Sequence, residues 1–252
     1  MSDARSLGLK PGISACLFDL DGVLTQTAKV HAKAWKQVFD AYLEARAART
    51  GEPFRPFDEL NDYDAYVDGK PREDGVRAFL ASRQIVLPEG SEDDPAEAET
   101  VQGLASRKDQ VFLELIRKNG VEAYEGSVRY VHAVRTMGLR LAVVTSSRHC
   151  TEVLKAAGLE GLFDAQVDGN VARAQALKGK PAPDTYVEAA RMLAKTPTES
   201  AVYEDSLAGV EAGRAGSFGM VVGVDRVGQS AALREHGADI VVTDLAELLL
   251  TR

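Results

Sequence analysis

The sequence predicts an α/β protein: a doubly wound parallel-sheet core, Rossmann-like, carrying an inserted all-helical cap. Three observations predict it. A short apolar run, Ala15–Phe18, stops on Asp19, Asp21 and Gly22. Residues 51–120 then hold Pro-rich and acidic loops between helical stretches, with no strand pattern. After Gly126, apolar strands alternate with helices to the end of the chain. A lone strand cannot bury itself, so the first run must join the sheet made by the later ones. The expected core is therefore residues 1–28 with 121–252, and the expected cap is 29–120.

The elements follow in order. An apolar run ending at aspartates and glycine reads as a buried parallel strand with a functional loop at its tip. Val30, Ala34, Val38, Ala41 and Ala45 repeat at close to 3.6 residues, which predicts a helix over 28–49. Loops such as Gly90-Ser91-Glu92-Asp93-Asp94-Pro95 separate expected helices near 73–82 and 106–118. A helix ending near 137, a strand over 140–145, a helix ending near 157 and further strands at 201–203, 219–222 and 239–241 complete the rhythm.

Composition limits the function classes. With 252 residues and 45% hydrophobic content the chain can bury a sizeable core. A net charge of −8 argues against nucleic-acid binding, which needs a basic face to displace counterions. Any phosphate site must then be a local cluster of cations. Two cysteines, Cys16 and Cys150, give no disulfide framework. Neither a signal-peptide pattern in MSDARSLGLKPG nor a membrane-length apolar run occurs. The expectation is a cytoplasmic, monomeric protein without a membrane partner.

In a doubly wound sheet, ligands gather beyond the carboxyl ends of the strands. The groups expected there are Asp19 and Asp21, then Thr145-Ser146-Ser147, then Lys180 after the next strand, then Glu204 and Asp205. Carboxylates so gathered repel one another unless a hard cation neutralises them, and oxygen donors suit Mg²⁺. Asp19, the main-chain carbonyl of Asp21, and Glu204 or Asp205 are the candidate ligands. A carboxylate beside a metal and a lysine is a competent nucleophile toward phosphorus, and Asp19 is placed for it. Asp21, two residues on, is the candidate general acid and base.

The motifs Asp19-x-Asp21-Gly22-Val23, Thr145-Ser146, Lys180-Pro181-Ala182-Pro183-Asp184 and Glu204-Asp205-Ser206-x-x-Gly209 occur in this order. In this the chain resembles the haloacid dehalogenase superfamily of phosphotransferases. The resemblance implies that Asp19 is the nucleophile and Asp21 the acid/base. It also implies that Thr145 and Lys180 hold the transferring phosphoryl group and that Glu204 and Asp205 serve the metal. Each motif alone also reads as an ordinary turn, helix cap or loop; their order at successive strand ends is what carries chemistry.

His31-Ala32-Lys33-Ala34-Trp35, Gly69-Lys70-Pro71-Arg72-Glu73-Asp74-Gly75 and Ser106-Arg107-Lys108-Asp109 look like features of the β-phosphoglucomutase branch. That resemblance implies a cap that closes over a sugar phosphate, with glucose phosphates and glucose 1,6-bisphosphate as partners. A mutase binds a bisphosphate in two orientations, and Arg72 offers a planar fork for the second anion. Lys108 would reach the transferring group, His31 would hydrogen-bond Asp21, and Trp35, Ser146 and Ser147 would contact substrate. A phosphatase of the same superfamily is the alternative. Bland readings also exist: His31 and Trp35 packing on each other one turn apart, and Arg72 and Lys108 as solvated charges. The chain departs from the branch at Thr25-Gln26-Thr27, where Asp is usual between the threonines, and at Ser147-Arg148-His149, where Ser-Lys-Asn is expected.

Overall fold

The computed structural model describes residues 4–249. The expected core bounds begin and end on residues 1–3 and 250–252, which lie outside the described residues. Contacts divide the chain into two compact units: Thr27–Gly120, and the remainder on either side of it, up to Gln26 and from Val121 onward. No helix among the described residues is long and apolar enough to cross a membrane.

The discontinuous unit is built on six strands, β1 (Ala15–Phe18), β2 (Arg140–Val144), β3 (Ala165–Val167), β4 (Ser200–Glu204), β5 (Met220–Val224) and β6 (Ile240–Val242). All pair in parallel, in the order β3-β2-β1-β4-β5-β6. All four β1 residues are buried, as befits a strand covered on both faces. Side chains alternate between those faces. Leu17 joins Val144, Val202 and Tyr186 in one apolar layer. Phe18 on the other face stacks on Tyr203 at 4.4 Å and meets Tyr130 edge-on at 6.3 Å.

The helices of this unit are numbered after the three of the inserted unit, α1 (Thr27–Thr50), α2 (Arg72–Ser82) and α3 (Val101–Asn119). They are α4 (Glu125–Thr136), α5 (Cys150–Ala156), α6 (Gly169–Ala174), α7 (Asp184–Met192), α8 (Leu207–Ala215) and α9 (Ser230–Glu235). α7 lies on β1, β2 and β3, α8 on β4 and β5, and α4 on β2. Cys16 and Cys150 are free thiols, both buried, and burial pushes Cys16 up to about 12.

No strand occurs among the described residues of the inserted unit. Its core is aromatic: Trp35 stacks on Phe39 at 4.9 Å, and Phe39 meets Phe79 at 4.1 Å and Phe57 at 5.4 Å. α3 begins at Val101, earlier than the expected 106, because the Thr100 side chain accepts from the Gly103 amide and caps the helix. A π-helical turn, Tyr63–Val67, occupies a segment that sequence pattern reads as loop.

Candidate active site

The register of the sheet makes the site. Phe18 pairs with Tyr203, so the next residues, Asp19 and Glu204, are level at the ends of β1 and β4. The strand order reverses between these two strands, where a doubly wound sheet opens its ligand crevice. The Asp19 amide donates to the Tyr203 carbonyl at 3.0 Å, which carries the β1 ladder one step beyond the strand. The chain then turns sharply. The amides of Leu24 and Thr25 and the Thr25 hydroxyl all donate to the Leu20 carbonyl, and the Gly22 amide donates to the Thr25 carbonyl at 2.7 Å. Gly22 has φ +88°, and a Cβ there would sit 1.6 Å from Asp205 Oδ2. Only glycine allows both the turn and the close approach of Asp205.

Lys180 links Asp19 and Glu204. Its Nζ donates to Asp19 Oδ1 at 2.5 Å and to Glu204 Oε1. The Tyr186 hydroxyl donates to the same Glu204 oxygen at 3.0 Å, while the amide and hydroxyl of Ser206 donate to Oε2. Asp19, Lys180 and Glu204 are all buried. Burial drives the Asp19 carboxyl well above the usual carboxylate range; Lys180 opposes this, and the charges of Glu204 and Asp21 add to it. For Lys180 burial works against the charge, but Asp19 and Glu204 overcome it and hold the ammonium well above its ordinary range.

Lys180 does not lie at the end of the next strand, as the sequence suggested. Between β3 and Lys180 the chain inserts α6, in which no residue is fully buried and Val171 alone packs, partly buried, on the core, a faint apolar signature. Lys180 reaches the carboxylates from the loop before α7.

Asp21 is met by Thr145, whose hydroxyl donates to Asp21 Oδ2 at 3.1 Å. Thr145 Oγ1 also accepts from the Ser147 amide at 3.0 Å, so the residue beyond β2 is held from both sides. The Gly169 amide donates to the Ser147 carbonyl and the Asn170 side chain to the Arg148 carbonyl, tying the run 146–148 to the start of α6. The Ser147 hydroxyl accepts from the His149 amide at 3.2 Å.

One oxygen from each of Asp19, Glu204 and Asp205 lies within 4.8 Å of the others, and all three residues are buried. Lys180 pairs with two of these three carboxylates, Asp19 and Glu204. An all-oxygen donor set of three buried carboxylates fits a hard divalent cation. Asp205 is packed against the Gly22 backbone, next to the Asp21 carbonyl expected as a ligand.

The remaining sequence candidates lie in the helical unit. Lys108 is buried, with its ammonium 4.7 Å from the centre of the Phe112 ring and 5.2 Å from that of Trp35. It lies 2.5 Å from His31 Nδ1; an ammonium only donates, so Nδ1 accepts. His31 stacks on Phe112 at 3.9 Å. Arg72 pairs with Asp109 at 2.6 Å and donates to the Ala105 carbonyl, with its side chain 14% exposed. Neither Arg72 nor Lys108 is a solvated surface charge.

Sequence reasoning missed Tyr186 and Arg226, and it quoted Ser206 in the fourth motif without giving it a role. Tyr186 and Ser206 complete the shell of Glu204, and Ser206 had a readable signal as the N-cap of α8, accepting from the Gly209 amide. Arg226 donates to the Gly22 carbonyl at 2.7 Å.

The model of the haloacid dehalogenase-like hydrolases matches residues 13–216. The chain belongs to this family. It is 56% identical over 249 residues to the Beta-phosphoglucomutase of Mycobacterium tuberculosis, covering 98% of this chain and 95% of that one. To the Beta-phosphoglucomutase of Bacillus subtilis it is 31% identical, covering 94% and 92%. Among solved structures, a hydrolase from Pseudomonas syringae superposes with a TM-score of 0.76 at 22% identity, covering 94% of this chain and 96% of that one. Family membership accounts for the acidic cluster, since these phosphoryl-transfer enzymes are metal-dependent.

Proposed function

We propose that this chain is a β-phosphoglucomutase, a phosphoryl-transferring isomerase that interconverts β-D-glucose 1-phosphate and glucose 6-phosphate. One observation carries the reading: a buried Asp19–Lys180–Glu204 cluster, with Asp205 beside it, in a chain 56% identical to a β-phosphoglucomutase over nearly its whole length.

The chain's own residues divide the work. An Asp19 oxygen forms a bond to phosphorus as the bond from phosphorus to the sugar oxygen breaks, giving an aspartyl phosphate. Asp21, oriented by the Thr145 hydroxyl, delivers a proton to the departing oxygen. In the second half it takes a proton from the other sugar hydroxyl, which attacks phosphorus and frees Asp19. β-Glucose 1,6-bisphosphate is the species that turns over between the halves. Lys180 balances charge on Asp19 and the transferring group. Glu204 has its two oxygens engaged by Lys180, Tyr186 and Ser206, so its part is to hold Lys180.

Asp19, the Asp21 carbonyl and Asp205 would hold Mg²⁺, with Glu204 at the edge of the set. When bound, Mg²⁺ supplies positive charge against the phosphoryl oxygens. Ser146 and Ser147 are assigned to the transferring phosphoryl group. In the helical unit, Arg72 is assigned to the second phosphate, and His31, Trp35 and Lys108 to the sugar phosphate. The net charge of −8 supports a protein without nucleic-acid partners, and we take the enzyme to be a cytoplasmic monomer without a membrane partner.

The test is a coupled assay with β-glucose 1-phosphate, a bisphosphate primer and Mg²⁺. The reading expects glucose 6-phosphate well in excess of free phosphate. Phosphate release without isomer would replace it with a sugar-phosphate phosphatase.

A further inference from the structure

We infer that Arg226, acting with Gln229, is a positioning residue that sets the spacing between the Asp21–Gly22 peptide and Asp205, and so shapes the cation site. The inference rests on the proposal that these groups hold the metal.

The loop after β5 touches both sides of that site. Arg226 Nε donates to the Gly22 carbonyl at 2.7 Å and Nη2 to the Val23 carbonyl at 3.4 Å. From the same loop, Gln229 Nε2 donates to the Asp205 carbonyl at 3.1 Å. The two segments it joins are far apart in sequence, yet must meet so closely that a Cβ on Gly22 would collide with Asp205.

The loop is itself braced. Asp225 Oδ1 accepts from the amides of Val227, Gly228 and Gln229, and its Oδ2 accepts from the Ser230 hydroxyl. The guanidinium lies 3.5 Å from the centre of the Tyr124 ring, Nη1 donates to the Thr243 carbonyl at 2.7 Å, and Asp244 lies 3.9 Å away. A planar fork with five donors can hold three carbonyls in one geometry, and lysine cannot.

The consequence reaches the Asp21 carbonyl. That carbonyl shares a planar trans peptide with the Gly22 amide, which donates to Thr25, so it points the opposite way from Thr25. Arg226 fixes the next carbonyl along. The orientation of the Asp21 oxygen is thus fixed from both flanks, and Gln229 holds Asp205 to the same frame.

The test uses the full chain, with Mn²⁺ as the probe, its binding followed by electron paramagnetic resonance. Melting temperature in EDTA reports folding. R226M and Q229A are compared with wild type, with R226K as the conservative variant and D205N as the control for the site. R226M is expected to stay folded and bind Mn²⁺ about 10- to 100-fold more weakly, the usual effect of losing an outer partner of a metal ligand. Q229A should weaken binding less, and R226K should fall between R226M and wild type. Excess Mg²⁺ should restore much of the turnover of R226M. Wild-type Mn²⁺ affinity in folded R226M would overturn the inference; if R226M does not fold, wild-type affinity in both R226K and Q229A overturns it. Loss of binding in D205N with no change in R226M would leave the metal reading standing and remove only Arg226. No Mn²⁺ binding by wild type would remove both.

Discussion

Each unit buries one lysine, and the two lysines are held by different means. In the strand-built unit, Lys180 is held by the carboxylates of Asp19 and Glu204, and these by Tyr186, Ser206 and the sheet ladder. In the helical unit, Lys108 is held by the faces of Trp35 and Phe112 and by one imidazole nitrogen. Buried charges set against each other offset their own desolvation, and removing one partner leaves the others uncompensated. A cation over aromatic rings is held by a weaker attraction to their faces.

Substitutions test this contrast. The largest effect is expected for Asp21→Ala, which should slow isomerisation by about 10²- to 10⁴-fold, the usual contribution of general acid–base catalysis. Steady-state kinetics at saturating Mg²⁺ reads it, and near-normal turnover would remove Asp21 from its role. Lys180→Met should lower the stability of the metal-free protein by about 3 kcal/mol, because Asp19 and Glu204 lose their shared cation. Urea unfolding measures this. Lys108→Met should cost only about 1 to 2 kcal/mol, since the methionine keeps its packing on the rings. Equal losses would erase the distinction between the two lysines.

A smaller effect concerns Asp64, in the π-helical turn of the helical unit. Burial, with the charge of Asp58 added, raises its carboxyl to about 6. Between its unfolded value near 3.8 and about 6 the unfolded chain binds fewer protons than the folded one, so stability falls as pH rises. Asp64→Asn should therefore match wild type below pH ~4 and exceed it above pH ~6 by about 1 kcal/mol, discounting for partial exposure. Melting curves across that range check it. A constant difference between the two proteins would contradict it.

Much of this was legible in the residues. Ala15–Phe18 is the observed first strand because an apolar run bounded by aspartates has one good placement in a parallel sheet. Asp19, Asp21, Thr145 and Glu204 were readable because chemistry collects at strand ends. What was not legible depends on partners distant in sequence. The short α6, which separates β3 from Lys180, has only the partly buried Val171 to announce it. Tyr186 and Arg226 act through hydrogen bonds that no local pattern encodes, though the run Asp225-x-x-Gly-x-Ser marks a braced loop worth inspecting. In the helical unit, the ring contacts of Lys108 emerge only from the packing of α1 on α3.

The central claim is that Asp19 becomes phosphorylated. Wild type and Asp19→Asn, each incubated with β-glucose 1,6-bisphosphate and Mg²⁺ and quenched in acid, can be compared by peptide mass spectrometry. A phosphoryl group on the peptide containing Asp19 in wild type, and none in the variant, is the predicted result. A label on another residue, or isomerisation sustained by Asp19→Asn, would contradict the account.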